Sequence, residues 1–278
     1  MLLTLVTMVA FAANSVLCRL ALGEGHIDAA SFASVRVASG ALTLLLIVLP
    51  RWRRAGRRPV DWRAAAMLFT YVAFFSFAYL SLSAGAGALL LFGAVQLTMF
   101  ITALRAGEHF PALSWLGLAL AVGGIVYLVS PGVTAPNPLG ATLMVVAGIA
   151  WGVYSLLGRG VQDPLEATAN NFLFCVPLVL LVSLVFATHA EITLRGLLLA
   201  IASGSIASGL GYVLWYAALR GLTATSAATV QLSVPVIAAI GGVLLLSEPV
   251  TLRLVVASAA TLGGIAIVLA ERTRPRRR

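Results

Sequence analysis

The sequence predicts an all-α integral membrane protein in which ten transmembrane helices form two inverted repeats of five helices each. Three observations predict this fold: the lengths of the apolar stretches, the positions of the arginines, and a similarity between the two halves of the chain. Apolar residues make up 61% of the 278 residues and charged residues only 10%, whereas about 25% of a typical soluble domain is charged. This composition makes a water-soluble helical protein a remote alternative.

Ten apolar stretches are each close to the length that crosses a bilayer, since roughly 20 helical residues span the ~30 Å hydrocarbon core. A chain in hydrocarbon must satisfy its own backbone polar groups, so each stretch is predicted to be a helix. The predicted spans are 2–22, 31–50, 64–83, 86–104, 112–130, 138–157, 168–187, 196–219, 223–246 and 251–270. They leave no room for a soluble domain. The first is not expected to be a cleaved signal peptide, because it lacks a basic n-region.

Arginine occupies all 18 Lys+Arg positions, and its placement predicts the topology. One group lies between the second and third spans and another in the C-terminal tail: Arg51, Arg53, Arg54, Arg57, Arg58 and Arg63, then Arg272, Arg274, Arg276, Arg277 and Arg278. Ten spans put both chain ends on one side. With that side cytoplasmic, fourteen arginines lie inside and only Arg19, Arg36, Arg195 and Arg253 outside, as the positive-inside rule requires. We expect the net charge of +9 to bind anionic lipid headgroups and not nucleic acid.

The two halves of the chain resemble each other at an offset near 140 residues. The matched positions are Phe11–Arg19 with Trp151–Arg159, Tyr79 and Leu82 with Tyr216 and Leu219, Glu108 with Glu248, and Gly123–Ile125 with Gly263–Ile265. Matches in the same order indicate a repeat, with residues 1–137 as the first unit and 138–278 as the second, which ends in a short basic tail. Five spans per unit is an odd number, so the second unit is predicted to enter the membrane from the opposite side. Secondary transporters often have this design, with a site near the midplane and alternating access, although a channel can share it.

At these residues the chain resembles the drug/metabolite transporter superfamily, EamA type, over essentially its whole length. The tract 226–236 and the following Ser247-Glu248-Pro249 are similar to the family's ninth helix and the loop after it. The family's first-helix motif usually starts with Trp-Gly; Phe11 and Ala12 replace it here. Within the family the chain most resembles the YddG-type exporters of aromatic amino acids in bacterial inner membranes. The resemblance implies a secondary transporter that exports small metabolites, with amino acids of aromatic or apolar bias as the expected class.

Two alternatives remain at this point. One is a broad-specificity exporter of drugs and metabolites, or a carrier of another metabolite; the other is a passive channel or a membrane scaffold. We expect a monomer, because two five-helix repeats can enclose a cavity alone. A homodimer is possible through the small-residue stripes on the fifth and tenth spans, which are Gly117, Ala121 and Gly124, and Ala257, Ala260 and Gly264, since such stripes permit close helix approach.

The resemblance implies a cavity walled by helices 1, 3, 4, 6, 8 and 9. The candidate substrate-binding residues are Asn14, Phe75, Tyr79, Gln96, Trp151, Tyr154, Ser155, Trp215, Tyr216, Gln231 and Ser233. Amides and hydroxyls would bind the polar groups of a substrate and rings its apolar part; hydrogen bonding between helices and ordinary packing are the alternatives. Tyr71 shares a face of the third span with Phe75, and Tyr212 shares a face of the eighth span with Tyr216; because both lie near span ends, interfacial anchoring is a further alternative for them. Pro235 is a hinge candidate in the ninth span, with a kink that does not gate as the alternative.

Acidic residues and histidines all fall in loops or at span ends. Because a proton-coupled carrier usually needs a titratable group at membrane depth, uniport or exchange is expected, and a permanent cation is a poor substrate. Arg19 and Arg36 are interpreted as snorkelling to the interface, with contact to a substrate carboxylate as the alternative. Lysine is absent, which excludes a Walker loop, and no G-x-S-x-G or H-E-x-x-H motif occurs. We therefore expect no enzyme, no cofactor and no metal.

Overall fold

The computed structural model describes residues 2–56, 59–222 and 224–273. Within these ranges the chain is a bundle of ten helices without a β-strand, and the ninth helix is divided into two parts, α9a and α9b. This confirms the prediction of an all-helical membrane protein. The helices are α1 (Leu2–Gly23), α2 (Ala29–Ala55), α3 (Trp62–Ala78), α4 (Ala84–Arg105), α5 (Ala112–Val129), α6 (Pro138–Leu157), α7 (Pro164–Val185), α8 (Leu194–Leu219), α9a (Ala224–Gln231), α9b (Ser233–Leu246) and α10 (Leu252–Thr273). All except α3 are long and apolar enough to cross a bilayer, when α9a and α9b are taken together.

The helix starts are set by side chains that cap the first turn. Asp28 accepts a hydrogen bond from the Ser31 backbone N–H, Ser83 from Ala86, and Asn137 from Gly140. Such caps satisfy backbone donors that have no partner within the helix. Asp163 caps α7 in the same way, and Pro164 occupies its first position, where proline is favoured. These signals explain why α7 begins four residues before the predicted span.

The third and ninth helices also differ from their predicted spans. The third span was expected to reach residue 83, but α3 ends at Ala78 after 17 residues, about 25 Å of rise. It ends there because Ser83 already caps α4, so the turn between the two helices must use the five residues that remain. The ninth helix is interrupted at Leu232, whose backbone N–H bonds to the Thr229 carbonyl at 3.1 Å.

The bundle has two ends that differ in charge. The basic end carries the connections after α2, α4, α6 and α8, and the far end carries those after α1, α3, α5, α7 and α9b. An ion pair at the basic end joins Arg51 to Asp163 at 3.2 Å. Arg57, Arg58 and the tail from Arg274 onward, which also belong to the predicted basic side, lie outside the described residues.

The small residues of α5 and α10 form a close contact between these two helices. A Cβ built on Gly117 would lie 2.6 Å from the carbonyl oxygen of Gly264, and one on Gly264 would collide with the carbonyl of Gly117. Two turns away, a Cβ on Gly124 would lie 2.9 Å from the carbonyl oxygen of Ala257. We call this contact the α5–α10 seam. The stripes that the sequence offers to a dimer are thus packed against each other within one chain.

Candidate functional site

A cavity of about 410 Å³ opens at the basic end of the bundle. Its mouth is formed by the connections after α2 and α6, and its walls by α6, α7 and α8. The lining residues that carry rings or polar groups are Asp61, Trp151, Tyr154, Ser155, Arg159, Asp163, Thr168, Asn170, Asn171, Tyr212, Trp215 and Tyr216. We call it the main cavity. A ligand in it would touch aromatic faces on several sides.

The rings around the main cavity form a continuous cluster from four helices. Trp151 on α6 lies 4.8 Å from Tyr71 on α3, 5.4 Å from Tyr154 and 5.7 Å from Tyr212 on α8, measured between ring centroids. Phe11 on α1 packs edge-on against Trp215 at 5.8 Å. Offset and edge-on geometries suit aromatic pairs, so the rings hold each other in place and present a fixed apolar surface.

Hydrogen bonds fix the orientation of two of these tyrosines. The Thr168 hydroxyl on α7 lies 2.7 Å from the Tyr216 hydroxyl, and the Tyr154 hydroxyl donates to Thr168 at 3.4 Å. The Asn171 amide donates to the Tyr154 hydroxyl at 3.4 Å. Because the hydroxyls have partners in the protein, both rings can stay at this depth without an unsatisfied polar group.

A second, smaller space of about 30 Å³ adjoins the main cavity. The two share Trp151 and Tyr212, and the smaller one, which we call the inner pocket, is lined by Phe11, Asn14, Ser15, Arg36, Tyr71, Phe75, Leu91, Phe92, Trp151, Ser208 and Tyr212. The Asn14 side-chain oxygen accepts from the hydroxyls of Ser203 at 2.8 Å and Ser208 at 3.3 Å. Asn14 is therefore held by α8 at the closed end of the site.

A π-helical segment allows the two serines to reach the same acceptor. Residues five apart lie about 140° apart around a regular α-helix, so Ser203 and Ser208 would face different sides. The stretch Ala202–Leu210 is a π-helix, whose wider turn pairs residues i and i+5. Both hydroxyls consequently point to Asn14. Such segments are rare and occur often at functional sites.

Arg36 is the charged group of the inner pocket. It is 2% exposed, its Nη2 donates to the Tyr71 hydroxyl at 3.0 Å and its Nε to Ser208 at 3.4 Å. The guanidinium also lies over the Phe75 ring, 4.8 Å from the centroid. Its Nη1 is buried and has no hydrogen-bond partner among the described residues. The interpretation of Arg36 as a snorkelling residue is wrong, because α2 places it among α3 and α8 and not at the lipid interface.

At the far end the site is closed by a cluster around Glu248. The Glu248 carboxylate accepts from the Ala84 backbone N–H, with 2.9 and 3.1 Å to its two oxygens, and from Arg19 Nε at 3.3 Å. Arg19 also donates to the Tyr79 carbonyl at 3.1 Å. Burial raises the pKa of the Glu248 carboxyl, while the Ala84 N–H and Arg19 act in the opposite direction. The cluster joins the ends of α1, α3 and α9b to the start of α4.

The connections after α1 and α7 also meet at the far end. The Asp28 backbone N–H donates to the Glu191 carbonyl at 3.0 Å, and the Asp28 carboxylate accepts from the Glu191 N–H at 3.1 Å. An exposed ion pair joins Arg195 to Glu24 at 3.0 Å. The far end is thus tied across the two halves of the chain, whereas the basic end contains the mouth of the main cavity.

The structure brings seven of the predicted site residues together. Trp151, Tyr154, Ser155, Trp215 and Tyr216 line the main cavity, and Asn14, Phe75 and again Trp151 line the inner pocket. The Ser155 hydroxyl donates to the Trp151 carbonyl at 2.8 Å, a bond within its own helix.

The other predicted residues lie elsewhere. Tyr79 is fully buried beside the far-end cluster and donates to the Ala84 carbonyl at 3.3 Å. Gln96 lines a separate cleft of about 300 Å³ between α4, α5 and α10. The side chains of Gln231 and Ser233 donate to carbonyls of their own helix turn, at 3.3 and 2.6 Å. Pro235 lines a cleft at the far end together with Glu248, and the break at Leu232 lies three residues before it.

Several lining residues were not in the predicted set: Arg36, Tyr71, Thr168, Asn171, Ser208 and Tyr212. The interpretation of Tyr71 and Tyr212 as interfacial anchors is wrong, since they are 7% and 5% exposed and α3 and α8 point them inward. The sequence did contain a signal for their inward position: each lies four residues before a predicted site residue, Tyr71 before Phe75 and Tyr212 before Tyr216, and so shares a helix face with it. Within the described ranges, no three His, Cys, Asp or Glu side chains are grouped so that they could hold a metal ion.

Comparison with known proteins identifies the family. The model of the EamA-like transporter family matches residues 138–270. A protein of Pseudomonas aeruginosa, described as uncharacterized, is 51% identical over 272 residues, which cover 98% of this chain and 95% of the relative. The chain belongs to the EamA-like transporter family. The matched region is the half that keeps Trp151 and Gly152, the motif that Phe11 and Ala12 replace in the other half.

Two proteins of Archaeoglobus fulgidus, each described as an uncharacterized transporter, are 25% identical to this EamA-like transporter over 256 and 287 residues. These matches cover 87% and 97% of the chain, and 89% and 97% of the relatives. A solved crystal structure has the same fold, with a TM-score of 0.68, 20% identity and 98% coverage of both chains. The family match and the nine described helices of membrane-spanning length and composition make the chain a multi-pass membrane transporter.

Proposed function

We propose that this EamA-like transporter exports small metabolites across the bacterial inner membrane by alternating access, and that amino acids with aromatic or apolar side chains are its substrates. The observation that carries the proposal is the main cavity, which is lined by aromatic rings, opens at the basic end and borders the inner pocket at Trp151 and Tyr212. Mostly apolar pockets with a few convergent polar groups are typical ligand sites.

The orientation follows from charge. The basic end carries Arg51, Arg53, Arg54, Arg63, Arg105, Arg159 and Arg220 among the described residues. By the positive-inside rule this end, and with it both chain termini, is cytoplasmic. The main cavity then opens to the cytoplasm, where a substrate for export is loaded. An uncoupled carrier moves it outward whenever the inside concentration is higher.

The helix packing supports the inverted repeat. α1 packs along α8, and α6 packs along α3, which are the equivalent pairs of the two halves. The α5–α10 seam has the same symmetry. With the offset of 140 residues, Gly117 corresponds to Ala257 and Gly124 to Gly264, so the contact of Gly117 with Gly264 is equivalent to that of Ala257 with Gly124. Two halves related in this way can rock about the site that lies between them.

The coupling follows from the groups at membrane depth. The buried carboxylate of Glu166 lies at the start of α7 and accepts from the Trp52 ring N–H at 2.9 Å, so it belongs to the basic end and not to the site. Within the described residues, the main cavity has carboxylates only at its mouth, Asp61 and Asp163. We therefore propose uniport or exchange, without a proton carried on a membrane carboxylate.

Counterflow in proteoliposomes tests the proposal. Vesicles that contain the purified protein are loaded with unlabelled phenylalanine and offered trace labelled phenylalanine, with tyrosine as an aromatic competitor and alanine and threonine as non-aromatic ones. A carrier gives transient accumulation of label above equilibrium that aromatic competitors block, while a channel only equilibrates the label and a scaffold gives neither.

Trp151→Ala, which removes the central ring of the main cavity, is expected to reduce the rate of accumulation at least tenfold. The matched control is Trp115→Ala, because this ring is 47% exposed on α5 and has an edge-on contact with Phe100 on α4, away from the main cavity. Equal rates in both variants, with correctly folded protein, would remove the main cavity from the transport path.

A further inference from the structure

The inner pocket holds an unneutralised charge. Arg36 is 2% exposed, and the side chains that surround it contain hydroxyls, an amide and rings but no carboxylate among the described residues. A buried guanidinium has five N–H donors. Ser208 and Tyr71 occupy Nε and Nη2, the Phe75 ring covers one face, and Nη1 has no hydrogen-bond partner.

Such an arrangement costs free energy unless a ligand completes it. Burying an ion carries a desolvation penalty, which attraction to an opposite charge offsets only when the geometry is good. Packing alone does not explain an arginine at position 36, since an apolar residue of similar length would fill the same space without the cost of burying a charge. The buried, unpartnered Nη1 can therefore donate to an anionic oxygen of a ligand.

The size of the inner pocket limits the anion. A water-sized group needs about 10–15 Å³ of such space, so about 30 Å³ accommodates roughly two groups of that size. This is the size of the two oxygens of a carboxylate. Trp151 and Tyr212 border both the inner pocket and the main cavity, so the remainder of a ligand would extend past these rings.

We propose that Arg36 binds the carboxylate of the transported substrate in the inner pocket, and that a carboxylate is required in every substrate of this site. The inference deepens the function proposed above and rests on it. The planar guanidinium matches a carboxylate in shape and charge. Arg36 lines the inner pocket, with its Nε bonded to Ser208 and its Nη1 unpartnered. A dianionic phosphate ester would need a second cation, and the described inner-pocket residues include only Arg36.

The first test needs no variant. Three ligands share one ring and differ in charge: phenylalanine has both groups, 3-phenylpropionate lacks the ammonium, and phenethylamine lacks the carboxylate. In counterflow of labelled phenylalanine, 3-phenylpropionate is expected to compete and phenethylamine to be at least tenfold weaker than phenylalanine. Competition by phenethylamine as strong as that by phenylalanine would overturn the inference.

The second test assigns the effect to Arg36. Arg36→Gln is expected to abolish the difference between 3-phenylpropionate and phenethylamine, and Arg36→Lys to retain part of it, because lysine keeps the charge but loses the planar fork. The control is Arg195→Gln, whose side chain is 57% exposed at the far end. If Arg36→Gln is folded and discriminates as the wild type does, Arg36 is only a structural residue.

Ligand-induced thermal stabilisation separates the two proposals, because it does not depend on transport of phenylalanine. If phenylalanine shows no counterflow, purified protein is melted with 3-phenylpropionate, isovalerate, phenyl phosphate and phenethylamine. If only the two carboxylates, 3-phenylpropionate and isovalerate, stabilise the protein, and Arg36→Gln loses this effect, then Arg36 binds carboxylates although amino acids are not the substrates. Stabilisation by phenyl phosphate or phenethylamine without the carboxylates overturns it.

Discussion

Neutralising Glu248 is expected to open the far end of the bundle. Glu248→Gln keeps the shape of the side chain and removes its charge, so the bond from the Ala84 N–H becomes a neutral one and the bond from Arg19 loses its negatively charged acceptor. Hydrogen bonds to charged groups contribute about 1.5–3 kcal/mol and neutral ones about 0.5–1.5 kcal/mol. The closed far end should therefore lose about 1–2 kcal/mol, which is a factor of roughly 5–30 in the ratio of closed to open molecules.

Distances across the far end measure this ratio. Spin labels on cysteines that replace Leu80 and Val250, both exposed there, report the separation of the α3–α4 turn from the connection before α10 in nanodiscs. Glu248→Gln should shift population from the short to the long distance. Glu24→Gln is the matched control: it breaks the exposed pair with Arg195 at the same end, and exposed pairs contribute about 0–1 kcal/mol.

An unchanged distance distribution in folded Glu248→Gln would refute the reasoning. It would mean that Arg19 and the α4 terminus are satisfied equally well without the charge, and that the far end is held by other contacts, such as that between Asp28 and Glu191. A shift of equal size in Glu24→Gln would refute it as well, because the effect would then be one of total charge and not of this cluster.

Two further outcomes are expected. Gly117→Ala should lower the melting temperature, since its Cβ would meet the Gly264 carbonyl oxygen at 2.6 Å, whereas Gly123→Ala, with nothing within 4 Å, should not. Cys18 and Cys175, both buried, should react with a maleimide only after denaturation, as mass spectrometry can show.

The positions of the helices were predictable because each residue contributes its own transfer free energy to a span. Which face of each helix points into the bundle was much harder to predict, because the lipid and the protein interior are equally apolar. Phe75 is almost fully buried while Trp115 is 47% exposed, although both are aromatic residues within predicted spans. Gln96 and Asn14 posed the same problem: each is a lone amide in an apolar helix, and only the packing of α8 on α1 brings Asn14 to the site.

Arg36 shows which part of the site the sequence did contain. It lies seven residues after the start of α2, about 10 Å along the helix, so its depth was readable from the spacing to Asp28. Its partners were not, since Tyr71 is 35 positions away and Ser208 is 172 positions away. The contact with Ser208 depends in addition on a π-helix, which hydrophobic periodicity does not reveal. The inverted relation of the repeats stays a prediction.

The π-helical segment of α8 also sets the rotational phase of the residues that follow it. Tyr212, Trp215 and Tyr216 reach the main cavity because the nine residues of Ala202–Leu210 wind with wider turns than an α-helix does. If that segment wound regularly, the same three rings would face other directions although none of them had changed. The specificity of this surface is thus encoded partly at a distance from it, and a gain or loss of one residue in the segment would give a descendant protein a different lining from the same aromatic residues.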